Sequence, residues 1–274
     1  VGGVPDAELV GVQKTLSPVL RAKALDNLLP DPILGDTFAA QVMRRLEPDY
    51  DKGRFGKSQI GLSAVVRAKT HDDWARTFLA EHPDAVVLHL GCGLDARVYR
   101  VDPPATVDWY DLDYPAIIAL RQRLLPPREH YTLIGSSVTD LTWLDRIPRG
   151  RPVLLIAEGL VPHLTEAELR ELLDAVVATF PTGGIQFDTV AVWAWRTSRW
   201  HPVLRKYGTQ FHCGFDDPAA IADWLPRLEF VDEAPMNDAP VLMTKAPKDI
   251  RRLYRLLNRL PGMRRSTRIV RFRF

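Results

Sequence analysis

At 274 residues, with 46% hydrophobic and 26% charged side chains, the chain has globular composition and room for one α/β domain with additions. No apolar run approaches the roughly 20 residues of a membrane span, and no basic-then-apolar leader opens the chain, so a cytoplasmic protein with no membrane partner is expected. Two cysteines, Cys92 and Cys213, are too few for a disulfide framework or a cysteine zinc site, and no metal centre is expected. The net charge of +2 hides an asymmetry: from Lys245 onward eleven Lys or Arg face one acid, Asp249. Within that tail Ile250, Leu253, Leu256, Leu257 and Leu260 recur at helical spacing. A basic amphipathic helix docked on its own acidic domain is therefore expected, in preference to nucleic-acid contact.

Residues 8–29 and 36–46 read as helices separated by Pro30-Asp31-Pro32, 49–61 as a loop, and 62–80 as a third helix. Together, residues 1–80 form an expected N-terminal helical cap. Strands are expected at 85–90, 106–112, 131–135, 152–157 and 184–189. Helices are expected at 114–125 and 166–179, the latter opened by a Thr165–Glu168 capping box. Further on, 217–225 and 249–259 read as helical, 228–233 and 267–273 as extended. Alternating strand and helix predicts an α/β core over 81–274, a doubly wound, mainly parallel, Rossmann-like sheet, with a cap insertion around 191–215.

In such sheets the ligand lies beyond the carboxyl ends of the strands. There the chain places Leu90-Gly-Cys-Gly-Leu-Asp-Ala-Arg97, then Asp111-Leu112-Asp113, then Glu158 after the fourth strand. The spacing formally fits a dinucleotide fingerprint, so an NAD(P)-dependent oxidoreductase stays open. Two features oppose it: Asp95 stands where a pyrophosphate would meet a helix start, and Glu158 is a second acid facing the same ligand. Successive acids suit a cationic, hydroxyl-bearing ligand such as S-adenosylmethionine. Its carboxylate would need a cation, for which Arg67 and Arg21 are candidates. Arg97 is expected to pair with Asp111.

Four segments carry a resemblance to a known family: Arg21-Ala22 with Asp31-Pro32, Leu90–Arg97 continuing to Tyr99-Arg100, Tyr110-Asp-Leu-Asp-Tyr-Pro115, and Ile156-Ala-Glu-Gly-Leu160 leading to His163. Their order and spacing resemble the leucine carboxyl methyltransferases and the related tetracenomycin-type polyketide O-methyltransferases. The resemblance implies a class I methyltransferase fold of seven strands, the last antiparallel and supplied by Thr267–Phe274. It also implies S-adenosylmethionine as cofactor. Arg67 and Arg21 would bind the cofactor carboxylate, and Gly91, Cys92 and Gly93 would lie against its methionine portion. Asp113, with Asp111 and Leu112 beside it, would hold the ribose. Ser137 and Val138 would border the adenine, and Glu158 and Gly159 would meet the methionine end. Two positions depart from the family pattern: Ser137 stands where many relatives carry Asp, and His163 where Tyr is common.

The expected activity is methyl transfer to a carboxylate or hydroxyl of a small aromatic or polyketide-like acceptor. A phenol, pKa about 10, benefits from a base, whereas a carboxylate is ionised at neutral pH and needs none. The candidate bases are His163, His201 and His212. Trp193, Trp195, Trp200, Tyr207 and Phe211 surround the last two and would wall a pocket for a flat substrate. A non-catalytic protein binding S-adenosylmethionine, or RNA through its basic tail, is the remaining alternative.

Overall fold

The computed structural model describes residues 16–52, 59–206, 208–246, 248–260 and 262–274. Its elements run α1 (Leu16–Asp26), α2 (Thr37–Leu46), α3 (Gln59–Glu81), β1 (Val86–Leu90), α4 (Arg97–Val101), β2 (Asp108–Asp113), α5 (Pro115–Leu124) and β3 (Tyr131–Gly135). They continue with β4 (Val153–Ala157), α6 (Glu166–Thr179), β5 (Gly183–Val190), α7 (Val192–Thr197), α8 (Pro202–Lys206), β6 (Glu229–Pro235), α9 (Pro240–Lys245), α10 (Lys248–Leu257) and β7 (Thr267–Arg273).

One seven-stranded sheet has the order β3-β2-β1-β4-β5-β7-β6, with β7 antiparallel to both neighbours and the other pairs parallel. Strands β1, β4 and β5 are buried along their whole length; β1 and β4 are accordingly nearly unbroken apolar runs, whereas β5 carries Gln186, Asp188 and Thr189 in the interior. The pleat divides them between two cores. Val86 and Leu88 join Leu169, Leu172 and Val176 of α6 on one face, while Val87 joins Ala75 and Leu79 of α3 on the other. Helices α1 and α2 pack Leu20, Ala24, Ala39 and Met43 onto Leu94 and Ala96 of the loop after β1, roofing that end of the sheet. Strand order reverses between β1 and β4, so the loops that follow them diverge and leave a crevice.

The expected helix over 8–29 is seen from Leu16 to Asp26, and its residues 8–15 lie outside the described ones. The segment 217–225 is a 3-10 helix over Pro218–Trp224. Four short helices, α4, α7, α8 and α9, were not expected; at five or six residues none is long enough for an apolar period to repeat. Among the described residues, six of the tail's eleven cations pair with acids of the chain's own body, Lys245 with Asp31 and Arg268 with Glu233 among them. Arg264, Arg265, Arg271 and Arg273 pair with Asp238, Glu233, Asp232 and Glu229. Among the described residues no helix is long and apolar enough to cross a membrane.

Candidate active site

The loop after β1 turns twice through the left-handed region, at Gly91 (φ +61°) and Gly93 (φ +51°). A Cβ at Gly91 would also stand 3.2 Å from the Leu160 side chain, so glycine is favoured there by conformation and by close packing. Asp113, at the end of β2, closes the floor: one carboxylate oxygen accepts the Gly93 N–H at 2.8 Å, the other its neighbour's N–H, Tyr114, at 2.7 Å. Burial pushes the Asp113 carboxyl above its ordinary range, although both backbone donors oppose that rise.

One wall of the crevice is an ion-pair network. Lys23 of α1, 2% exposed, sets its Nζ 3.1 Å from Asp95 and 3.4 Å from Glu158. Arg67 of α3 reaches Glu158 and Asp188, each at 3.2 Å. Arg97 reaches Asp72 at 2.7 Å, Asp95 at 3.2 Å, and Glu158. Arg100 closes on Asp36, Asp72 and Asp95. Burial favours the neutral acids, yet the surrounding cations hold Asp95 and Glu158 well below the usual carboxylate range. Both acids are thus ionised and already paired, rather than bare charges waiting for a ligand.

A cleft of about 870 Å³, its open mouth included, is lined by Arg67, Gly91, Cys92, Gly93, Asp113, Glu158, Gly159 and His163 of the expected site residues. The others lie elsewhere. Arg21 turns away to Glu47 at 3.0 Å and the Tyr50 carbonyl at 2.7 Å. Asp111 is fully buried behind the loop, accepting from His89, Trp109, Arg121 and Tyr131. Its charge partner is therefore Arg121, not Arg97. Leu112 is core, and its carbonyl accepts the Cys92 N–H. Ser137 bonds Thr139, and Val138 packs in the core; neither lines the cleft. His201 and His212 are exposed and also stand outside it.

Lys23 was missed. It interrupts the apolar face that Leu20 and Ala24 give α1, a lysine where the helical period asks for a hydrophobe. His89 was missed too. Arg97 donates to its Nε2, so the ring proton sits on Nδ1 and is donated to Asp111 at 2.9 Å, joining the cleft wall to the network behind it.

His163 follows β4 and stands at 3.2 Å, through Nδ1, from the Gln210 carbonyl, with Phe211 edge-on at 5.3 Å. Burial pushes its imidazole below the ordinary histidine value. Of the expected aromatic wall, among the described residues only Phe211 lies against His163, edge-on. Trp193 and Trp200 are 45% and 58% exposed, Trp195 is half-buried, and Tyr207 lies outside the described residues.

The family model of leucine carboxyl methyltransferases matches residues 15–177. The tetracenomycin polyketide synthesis O-methyltransferase TcmP of Streptomyces glaucescens is 42% identical over 266 residues, covering 97% of this chain and 98% of its own. The S-adenosyl-L-methionine-dependent methyltransferase dpfgK of Gibberella zeae is 31% identical over 245 residues, 81% of each chain. Among solved structures, a DUF574 family protein of Streptomyces avermitilis superposes with a TM-score of 0.59 at 13% identity, over 92% of this chain and 96% of that one. The plantazolicin methyltransferase BpumL, solved with S-adenosylhomocysteine, gives 0.50 at 11% identity, over 95% and 97%. The glycine loop, the acid at the end of β2 and the Ala157-Glu158-Gly159 turn thus sit in a chain whose relatives, over most of its length, are methyltransferases and not oxidoreductases. The chain belongs to the leucine carboxyl methyltransferase family and is an S-adenosylmethionine-dependent O-methyltransferase.

Proposed function

We propose that the chain methylates an acidic oxygen, carboxylate or phenolic, on a flat polyketide-like acceptor seated beside His163. One observation carries the acceptor's place: His163 lines the same cleft as Gly91, Asp113 and Glu158. Its Nδ1 is tied to the Gln210 carbonyl, which leaves Nε2 for an acceptor oxygen.

The charges in the cleft wall fit the cofactor. Of the charged groups lining the cleft, two cations, Lys23 and Arg67, stand against three carboxylates, Asp95, Asp113 and Glu158. That leaves one negative charge in excess. S-adenosylmethionine carries a sulfonium and an ammonium against one carboxylate, an excess of one positive charge. In this reading Arg67 and Lys23, in place of Arg21, take the methionyl carboxylate, and Glu158 faces the ammonium. Gly91, Cys92 and Gly93 let the methionine chain lie close to backbone. Asp113 takes the ribose diol, and the adenine runs past Tyr114 and Ile117 toward Ser137 and Val138.

When bound, the cofactor supplies a methyl group already activated by its sulfonium. The chain's own residues then have to align the acceptor oxygen with it and exclude water, a proximity effect of roughly 7–11 kcal/mol. His163, neutral at pH 7 through its burial, takes the proton of a phenolic acceptor at Nε2 and orients a carboxylate one. The two cysteines are buried and free, in keeping with a cytoplasmic enzyme. The test is incubation with S-adenosylmethionine and a panel of aromatic hydroxy and carboxy acids, read by mass spectrometry. Gain of one methyl on an oxygen of a flat acceptor is expected. Methylation confined to nitrogen or sulfur acceptors would overturn the reading.

A further inference from the structure

Asp188 lies in the carboxyl-terminal half of β5, its side chain 3% exposed, and nothing in its sequence neighbourhood singles it out. One carboxylate oxygen accepts the Gly159 N–H at 2.5 Å and the other accepts Arg67 Nη1 at 3.2 Å. Glu158 holds the same guanidinium from its other edge, through Nε at 3.2 Å. The two acids thus occupy Nε and Nη1, and among the described residues Nη2 has no hydrogen-bond partner. That nitrogen lies over Gly159, where a Cβ would come within 3.3 Å of it, and the Arg67 side chain is 20% exposed on the cleft side. On the far side of Asp188 stands His71, fully buried, its Nε2 3.9 Å away and neither ring nitrogen hydrogen-bonded. Burial pushes its imidazole below the ordinary value, so it is neutral and does not compete for the carboxylate.

From this geometry we infer that Asp188 is a positioning residue for the methyl donor: it turns the Arg67 guanidinium so that Nη2 alone is presented to the donor's carboxylate, and with the same carboxylate it pins the Glu158–Gly159 turn. The inference rests on the assignment of Arg67 to that carboxylate. Electrostatics alone argues for the opposite outcome. An acid beside Arg67 competes with the ligand for its charge, and removing that acid would free the cation. What decides is geometry: an N–H donates well only along a fixed direction, so Nη2 must be aimed, and a loose side chain loses rotamer freedom on binding.

The experiment is calorimetric titration with two probes, S-adenosylhomocysteine and 5′-methylthioadenosine, which shares the nucleoside and thioether but lacks the amino-acid portion. Asp188→Asn keeps an oxygen for the Gly159 N–H but turns an amide N–H toward Arg67. It is expected to weaken S-adenosylhomocysteine at least tenfold and to leave 5′-methylthioadenosine within twofold. Arg67→Ala should give the same pattern, and the double variant should bind within about twofold of Arg67→Ala, because Asn keeps the Gly159 contact and the contact it loses acts only through Arg67. Tighter S-adenosylhomocysteine binding in Asp188→Asn, an equal loss for both probes, or full additivity with Arg67→Ala would overturn the inference. If Arg67→Ala itself binds S-adenosylhomocysteine like the wild type, the carboxylate assignment has failed, and the role of Asp188 falls with it. Should Asp188→Asn not fold, Arg67→Lys replaces it. A lysine keeps the charge but ends in a freely rotating ammonium with no plane for the two acids to orient, so it is expected to bind S-adenosylhomocysteine as poorly as Arg67→Ala; wild-type affinity would overturn the inference.

Discussion

The carboxylate of Asp113 accepts the backbone N–H of Gly93 at 2.8 Å, so the acid that ends β2 is stitched to the loop that ends β1. The bond aligns the loop backbone and the carboxylate toward one volume. It also uses only part of the acceptor capacity of Asp113, leaving lone pairs for a diol. Hydrogen bonds to a charged group contribute about 1.5–3 kcal/mol each. Asp113→Ala is accordingly expected to weaken S-adenosylhomocysteine binding by about ten- to a hundredfold in a calorimetric titration, and Asp113→Asn by less. Unchanged affinity in both variants would remove Asp113 from the donor site.

Asp111, two residues earlier, is expected to behave in the opposite way. It is fully buried and accepts from four side chains, one of them Arg121, whose other nitrogen donates to the carbonyls of Gly93 and Asp95. Asp111→Asn leaves Arg121 without a counter-charge in the interior, and the expected cost is about 3 kcal/mol of stability. Despite burial, Arg121 and His89 hold the Asp111 carboxyl down to about 2. A carboxyl lowered on folding stabilises the native state above its unfolded pKa near 4, and that contribution fades as pH falls toward 2. It amounts to about 2 kcal/mol. Urea unfolding at pH 7 and pH 3 checks this: the gap between wild type and Asp111→Asn should narrow at the lower pH.

That pair of acids marks where sequence reading stops. Residues two apart on a strand share a face, so pattern alone does not separate Asp111 from Asp113, and only the family resemblance put Asp113 first as the ribose ligand. What separates them is Arg121, which reaches back from α5 to claim Asp111 alone. The middle of the sheet was legible, because β1 and β4 are buried on both faces and are written as apolar runs. The expected strands at 85–90, 131–135, 152–157 and 267–273 agree with β1, β3, β4 and β7 to within a residue. Asp188 was not legible, since an acid within a buried strand declares itself only through partners at Gly159 and Arg67, distant in the chain.

Arg21 and Lys23 offer a comparable contrast within one helix. They lie two residues apart on α1 and so point to nearly opposite sides. Lys23 turns inward to Asp95 and Glu158, while Arg21 pairs with Glu47. Lys23→Ala is expected to raise the Michaelis constant for S-adenosylmethionine at least tenfold. Arg21→Ala is expected to change it less than twofold and to lower stability by about 1–3 kcal/mol, through the lost Glu47 pair and Tyr50 carbonyl bond. Equal effects in the two variants would contradict this division of roles.

The role of His163 follows from which proton has to move. With a phenolic acceptor the imidazole must be neutral to accept the hydroxyl proton, so kcat/KM should rise with pH through the imidazole pKa. Burial lowers that pKa, and its inflection is expected below 6.5. Removing the base by His163→Ala should then lower the rate by about a hundredfold or more. With a carboxylate acceptor of the same ring skeleton no proton moves at neutral pH. The profile should stay flat between pH 6 and 8, and His163→Ala should cost less than tenfold, through lost orientation alone. Measuring both profiles on one matched pair of acceptors separates a base from an orienting residue. A flat profile and unchanged rate with the phenol would mean that Nε2 of His163 takes no part in the transfer.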